Sequence, residues 1–416
     1  MTTEKTMGTK MTGNVVAFDS NYALVPKSEI HFRIEKLQRW MASEALDGAF
    51  LFQHVDIYYF SGTLQRSILF VPVSGQPLLM VIKSLKRAQT ESPLEQILPL
   101  KGRNALPPIL SDFNYTGLNR VGLELDVLPA GHYLWFKKTF PHIDGVDISP
   151  GIRGLRMIKS AYEIDQIRRS AAVTDKGYQT IRGLIREGMS ELELDGLLFS
   201  IGRKNGHLGL MRIRGWNQEM MNAHVFTGPG GAAVSCCETP GNGMGISPAL
   251  PQGAGFGRVT RNQPIYIDYG VNLNGYHSDQ TRTLIIGALA PTLARAHACA
   301  KEILDVLEDQ IRPGMACREI YQKAKDMATE QGFADHFMGH GEGQVRFLGH
   351  GLGLEIDEFP VIATKFDMPV EEGMVFALEP KFSFPGIGIV GMEDDYLVTA
   401  KGLERLTLTE QILLKI

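Results

Sequence analysis

Five side chains in the C-terminal half have the types and order of a metal centre: Asp268, Asp279, His350, Glu379 and Glu393. The stretch 264–270 reads as a strand carrying one acid, Asp268, and 272–275 (N-L-N-G) reads as a turn. The chain returns through 276–283 with Asp279. A fold between Leu273 and Asn274 would set Asp268 directly opposite Asp279. The stretch 374–379 is a second strand ending in an acid, Glu379. A turn at 384–387 and a return through 388–394 would bring Glu393 opposite Glu379, with Gly386 at the midpoint. Opposed side chains lie ~5 Å apart across a strand pair. Like charges held that close out of water need a shared proton or a cation. Four inward carboxylates with no cation would cost more than a domain's marginal stability. His350, in the glycine-rich run G-H-G-L-G-L-E, adds an imidazole. Oxygen donors with one imidazole and no thiolate suit Mn, Co, Fe or Zn. Two such ions would clamp a hydroxide and polarise a carbonyl oxygen.

The elements that must position these residues are legible as periodicity and punctuation. An internal repeat at an offset of 126 residues relates I-R-E-G-M (185–189) to I-R-P-G-M (311–315). Arg169, Ala172 and Gly206 match Arg295, Ala298 and Gly332 at the same offset. Each copy reads helix, turn, helix, glycine stop, then strands. Two related α/β halves with a cleft between them are expected. A long helix is expected over about 161–187, and 153–159 reads as a connector. Upstream, a helix over about 28–46 precedes strands at 48–53, 67–72, 77–83, 121–125 and 146–148. That makes an α/β domain over 28–155 without a phosphate-cradling glycine loop, ahead of a catalytic domain over 156–416. Residues 1–27 read as a polar arm.

Composition narrows the function. At 416 residues two or three domains are expected, and a net charge of −4 provides no basic field for nucleic acid. No apolar run approaches the ~20 residues that span a bilayer, and residues 1–21 lack the apolar core of a secretion signal. The four cysteines, Cys236, Cys237, Cys299 and Cys317, form no C-x-x-C pair, which suits a reducing, cytoplasmic setting.

The ordered set Asp268, D-Q-T-R-T from Asp279, G-H-G-L-G-L-E around His350, E-E-G-M-V-F-A-L-E-P ending on Glu379, and G-M-E-D-D holding Glu393 resembles the Xaa-Pro peptidase and creatinase-like metallopeptidase family. R-M-I-K-S-A-Y-E-I from Arg156 is similar to that family's entry into its catalytic domain, and the likeness covers roughly 28–416. The resemblance implies a creatinase-like N-terminal domain, a pita-bread catalytic domain with an internal pseudo-twofold repeat, and homodimers. It implies two divalent ions, with Mn favoured. Asp268 would hold one, Asp279 and Glu393 would bridge both, and His350 and Glu379 would complete the second. Glu379 would also act as general acid/base, with Thr281 as a supporting partner.

The chain departs from the family where substrate is held. Auxiliary histidines are implied where Ser235, Arg346 and Asp357 stand, and an arginine where Gly391 stands. His340 and His277 are candidate substitutes; Ser235, Arg346, Asp357 and His340 are the pocket candidates. The stretch 228–257 has 13 Gly and Pro in 30 positions and reads as a long loop shaping the substrate pocket. The expected activity is hydrolysis of a small peptide at an Xaa-Pro bond. The alternatives are a metallohydrolase or lyase acting on a small amide, and a binding module that has lost catalysis.

Overall fold

A computed structural model describes residues 22–416, so most of the expected N-terminal arm lies outside the described residues. The chain divides into two compact units, ending and beginning at Ser149 and Pro150. No described helix is long and apolar enough to cross a membrane.

The first unit contains α1 (Lys27–Ser43), β1 (Gly48–Leu51), α2 (His54–Ser61), β2 (Ser67–Pro72), β3 (Leu78–Val81), α3 (Leu85–Glu91), β4 (Gln96–Pro99), α4 (Leu106–Asp112), β5 (Arg120–Leu123), α5 (Ala130–Thr139) and β6 (Asp144–Asp147). Its sheet runs β4-β3-β2-β1-β5-β6, with β1 antiparallel to β2 and parallel to β5. Every residue of β1, β2 and β3 is buried, which is why these strands read as continuous apolar runs. β4 was not anticipated; its alternation is weak, because its residues are mostly half-buried or exposed.

The second unit holds the candidate site. Its first half has α6 (Ser149–Met157), α7 (Ala161–Arg182), α8 (Glu191–Lys204), β7 (Ala223–Thr227), β8 (Pro264–Tyr269), β9 (Val271–Leu273), β10 (Tyr276–Ser278) and β11 (Thr281–Ile285). Its second half has α9 (Pro291–Gln310), α10 (Cys317–Glu330), β12 (Phe347–Gly351), β13 (Glu358–Ala363), β14 (Val375–Leu378), β15 (Lys381–Phe384), β16 (Gly388–Gly391), β17 (Asp394–Thr399), β18 (Gly402–Arg405) and the closing β19 (Leu414–Lys415). The sheets run β19-β11-β8-β7 and β13-β12-β14-β17-β18, with β9/β10 and β15/β16 as separate two-stranded ribbons.

The repeat is real in three dimensions. α8 and α10 are displaced by 126 residues at both ends, 191 to 317 and 204 to 330. Gly188 and Gly314 both take positive φ, 87° and 97°, as do Gly206 and Gly332, 98° and 82°. The turns are tied alike, since Gly188 N–H donates to Val259 O and Gly314 N–H to Val370 O, each at 2.8 Å. Each half buries its own apolar cluster, the first around Tyr178, Leu194, Leu198 and Ile267, the second around Leu304, Ile320, Phe376 and Leu378.

α7 begins on a capping box, Ser160 with Glu163, and so does α8, Ser190 with Glu193. α7 ends at Arg182, five residues short of the 187 expected from the sequence. Gly183 caps it, and the chain tightens through Leu184 N–H to Ile181 O into the turn that the repeat marks.

One expected register is corrected. Asp268 pairs with Thr281, not with Asp279, and Leu273 pairs with Tyr276. The turn is the two-residue Asn274-Gly275, with φ of 53° and 95°. That is the doubly left-handed turn whose twist matches a hairpin, and it moves the centre by one residue. Asp279 falls in the break between β10 and β11, where its N–H donates to Asp395 Oδ2 at 2.9 Å. The second hairpin keeps the expected register. Leu378 pairs with Asp394 and Lys381 with Gly391, so Glu379 falls opposite Glu393, and Gly386 (φ 72°) sits at the turn.

Candidate metal centre

Each acid reaches the centre from a strand end. Glu379 follows β14 and Glu393 precedes β17, where the ladder gives way to Pro380 and Met392. The two halves meet here: Glu393 N–H donates to Thr281 O at 3.1 Å, and Thr281 Oγ1 donates to Glu393 Oε2 at 2.7 Å. Arg282, fully buried, fixes the same junction. It donates to Glu393 O at 2.8 Å and to both oxygens of Asp394 at 2.8 and 3.0 Å.

Asp279, His350 and Glu393 offer donor atoms that all lie within 4.8 Å of one another. His350 Nε2 stands 3.6 Å from Glu379 Oε1, 3.9 Å from Glu393 Oε1 and 4.0 Å from Asp279 Oδ2. Donor atoms sharing one tetrahedral ion at ~2.1 Å stand ~3.4 Å apart, so this spacing is slightly wider than an occupied shell. Glu393 Oε1 is buried and has no hydrogen-bond partner. An acceptor left bare in a 1% exposed residue and turned toward an imidazole fits a cation.

Electrostatics agree with that donor set. Burial, then the neighbouring Glu393 and Asp268 charges, raise the Asp279 carboxyl well above the usual range. Burial, with Glu379 and Asp268, pushes Glu393 up to about 7. Both acids are thus held toward their protonated forms until positive charge arrives.

Asp268 lies on the other side of the cluster, with Lys381. The Lys381 ammonium, 1% exposed, donates to Asp268 Oδ2 at 3.0 Å and Glu393 Oε2 at 2.8 Å, and pairs with Glu379 Oε2 at 2.7 Å. Burial opposes ionisation of Asp268, and Lys381 followed by His224 more than offsets it, holding the carboxyl below its ordinary range. For Lys381 burial is likewise overcome, by Asp268, Glu379 and Glu393, which keep the ammonium protonated far above its ordinary range.

Lys381 and His224 went unremarked in the sequence. Lys381 stands two residues after Glu379, and alternate residues share a strand face, so its proximity had a signal. His224 pairs across β7/β8 with Asp268, is buried, and leaves Nε2 without a partner. The long connection between β7 and β8 hides that pairing from the sequence.

The pocket candidates sit on separate segments of the chain. Asp357 is half-buried, accepts from Arg214 N–H at 3.3 Å and is close enough for the charge of His350 to act on it. His340 Nδ1 lies 3.1 Å from Ser383 Oγ in β15. Arg346 is exposed just before β12 and acts electrostatically on Tyr321 of α10. Ser235 donates to Pro251 O at 2.5 Å, inside the glycine- and proline-rich loop. His277 is fully buried between Gly353 O, 2.9 Å from Nδ1, and Arg212 N–H, which donates to Nε2 at 3.0 Å. Burial lowers it to about 4, so it acts as a structural acceptor, not a substitute for a site histidine.

The loop itself opens with a tight turn over Gly228–Ala232 and is pinned at both ends by one acid. Glu191, the first residue of α8, accepts from Thr227 N–H at 2.6 Å, Thr227 Oγ1 at 2.8 Å and Gly255 N–H at 2.7 Å.

Comparison with known proteins agrees with this architecture. The family model for the Creatinase/Prolidase N-terminal domain matches residues 33–158, and that for Metallopeptidase family M24 matches 165–400. The chain is 29% identical over 385 residues to an Xaa-Pro dipeptidase of Pyrococcus furiosus, covering 92% of this chain and 99% of that one. Among solved structures it superposes on an Xaa-Pro dipeptidase from Bacillus anthracis with a TM-score of 0.78 at 25% identity, covering 93% and 100% of the two chains. The prolidase from Pyrococcus furiosus gives 0.74 at 27% identity, covering 90% and 99%. With pseudo-twofold halves, an acid-and-imidazole cluster at their junction and a family model spanning 165–400, the chain belongs to metallopeptidase family M24.

Proposed function

We propose that this chain is a divalent-metal-dependent peptidase that hydrolyses the Xaa-Pro bond of short peptides. The observation that carries the reading is the convergence of His350 Nε2 on carboxylate oxygens of Asp279, Glu379 and Glu393, one of them buried and unpartnered. A bound divalent ion supplies an electrophile for the scissile carbonyl and acidifies water at that place. The donor set suits Mn, Co, Fe or Zn, and the family likeness favours Mn.

The protein's own groups do the rest. Glu379 Oε1 faces the imidazole and is placed to take the proton of the attacking water and return it to the leaving proline nitrogen. His350 is held by its strand and by Nδ1, 3.3 Å from Gly351 O. Thr281 fixes the rotation of Glu393. Ser235, Arg346, Asp357 and His340 are the candidates for holding the peptide, and Asp357, within reach of the His350 charge, is the strongest of them. Relatives named Xaa-Pro dipeptidase support a peptide substrate over a small amide.

We also place the functional division at 28–155 and 156–416, the working unit as a homodimer and the location as the cytoplasm. The free cysteines support a reducing setting, and family likeness supports the dimer.

The test is direct. Mn-loaded protein should release free proline from Xaa-Pro dipeptides and leave Xaa-Ala controls largely intact. Failure to cleave any member of a dipeptide and tripeptide panel would overturn the reading.

A further inference from the structure

We infer that Lys381 takes the place of one of the two cations that the acid count calls for, so that the centre holds a single divalent ion among Asp279, His350, Glu379 and Glu393. The inference rests on the metal-dependent reading above and departs from it in the number of ions.

An ammonium has three N–H donors and no acceptor. Here two of them are used, on Asp268 Oδ2 at 3.0 Å and Glu393 Oε2 at 2.8 Å, and Glu379 Oε2 lies 2.7 Å away as an ion-pair partner. The Asp268 and Glu393 oxygens are ones that a cation on the Asp268 side would need. An ion bound to them at ~2.1 Å would sit against a positive charge with no water between.

The two glutamates are divided in the same sense. Their Oε2 atoms serve Lys381, and their Oε1 atoms face His350 at 3.6 and 3.9 Å. Asp279 Oδ2 joins the His350 side, and Asp268 stays out of that donor group. The carboxylates are thus shared between one cation built into the chain and one position still lacking positive charge, marked by the unpartnered Glu393 Oε1.

The ladder is shaped for the lysine. Lys381 pairs with Gly391. A Cβ at 391 would come within 2.7 Å of Pro380 O, 2.8 Å of Lys381 Cα and 2.9 Å of Lys381 Cγ. The family likeness implies an arginine at that position. In this chain the base stands on the facing strand and turns inward to the acids.

Metal content decides the matter independently of activity. The metal-free full chain is titrated with Mn(II) by calorimetry, then gel-filtered for elemental analysis and electron paramagnetic resonance. One equivalent per chain, with the hyperfine pattern of an isolated ion, is expected. Asp268→Asn should keep that equivalent, His350→Ala should lose it, and Lys381→Gly should raise the count to two. Two equivalents in the unaltered chain with an exchange-coupled spectrum would overturn the inference and leave the peptidase reading standing. No binding would overturn both. One equivalent without peptide cleavage would support the inference and overturn the peptidase reading alone.

Discussion

In the first hairpin Asp268 stands opposite Thr281 and beside His224; in the second Glu379 falls in register with Glu393 and two residues before Lys381. The base that neutralises Asp268 comes from the second hairpin, Lys381. The base that neutralises Asp394, at the start of β17, comes from the first, Arg282. Each half therefore supplies the counter-charge for the other's acid. The duplicated backbone delivers the carboxylates from hairpins of different register, and the closest buried counter-charge of each acid comes from across the junction.

Four changes would break or sharpen that comparison. The largest effect is expected for Glu379→Gln, which removes the proposed proton carrier. Turnover on an Xaa-Pro dipeptide should fall by about 10²–10⁴-fold while circular dichroism keeps the native helix content. Near-normal turnover would remove Glu379 from its role.

Arg282→Met comes next. It removes the fully buried ion-pair partner of Asp394 and leaves Arg405, 3.9 Å away, as the remaining cation, and losing one partner of such a pair costs roughly 3–5 kcal/mol. The urea midpoint should drop accordingly, and a small change would show that the crossing ion pairs do not hold the halves together.

The third is a pH dependence of the metal-free chain. Glu393 is pushed up to about 7 and Asp279 is raised, so the folded state binds their protons more tightly than the unfolded chain does. The Glu393 contribution is fully present below about pH 4, where the unfolded acid titrates, and is lost as pH rises through about 7, and Asp279 acts in the same direction. Asp268, lowered, and Lys381, raised, do not titrate in that window. Buried histidines such as His277, lowered to about 4, act in the opposite sense, so the comparison is with Glu393→Gln. Between pH 4.5 and 8 in chelator the urea midpoint of the unaltered chain should lose ground relative to that variant, and saturating Mn(II) should shrink or reverse the difference. A pH-independent difference between the two in chelator would contradict the strained-acid account.

The smallest is Gly391→Ala. The added methyl meets the backbone of the facing strand and the Lys381 stem, and overpacking of this kind costs about 1–3 kcal/mol. The same change at Gly386, where a Cβ would meet nothing but φ is 72°, tests the turn without touching Lys381. Equal effects on metal affinity would remove the special place given to 391.

Much of this was legible in the sequence for stateable reasons. The repeated I-R-x-G-M turns mark the two halves because a positive-φ glycine is required at the same step in each. The second hairpin's register could be read because Gly386 lies at its midpoint. The first was misjudged because four turn-forming residues, 272–275, offered more than one centre, and only Asn274-Gly275 satisfies the twist. The convergence of acids on His350 could be anticipated, since four buried carboxylates demand compensation. The form of that compensation was hidden. A lysine after Glu379-Pro380 reads as a solvated strand residue until Asp268, 113 positions away, and Glu393, 12 positions away, are folded around it. His224 was hidden by the length of chain between β7 and β8.

Glu191 has a consequence for diversification. By gripping Thr227 and Gly255 with one carboxylate, it closes the glycine- and proline-rich segment into a staple whose feet do not depend on what lies between them. The interior can then drift, lengthen or acquire new side chains while β7 and β8 stay registered. Selection for a different ligand could act there first, with the inherited chemistry left untouched.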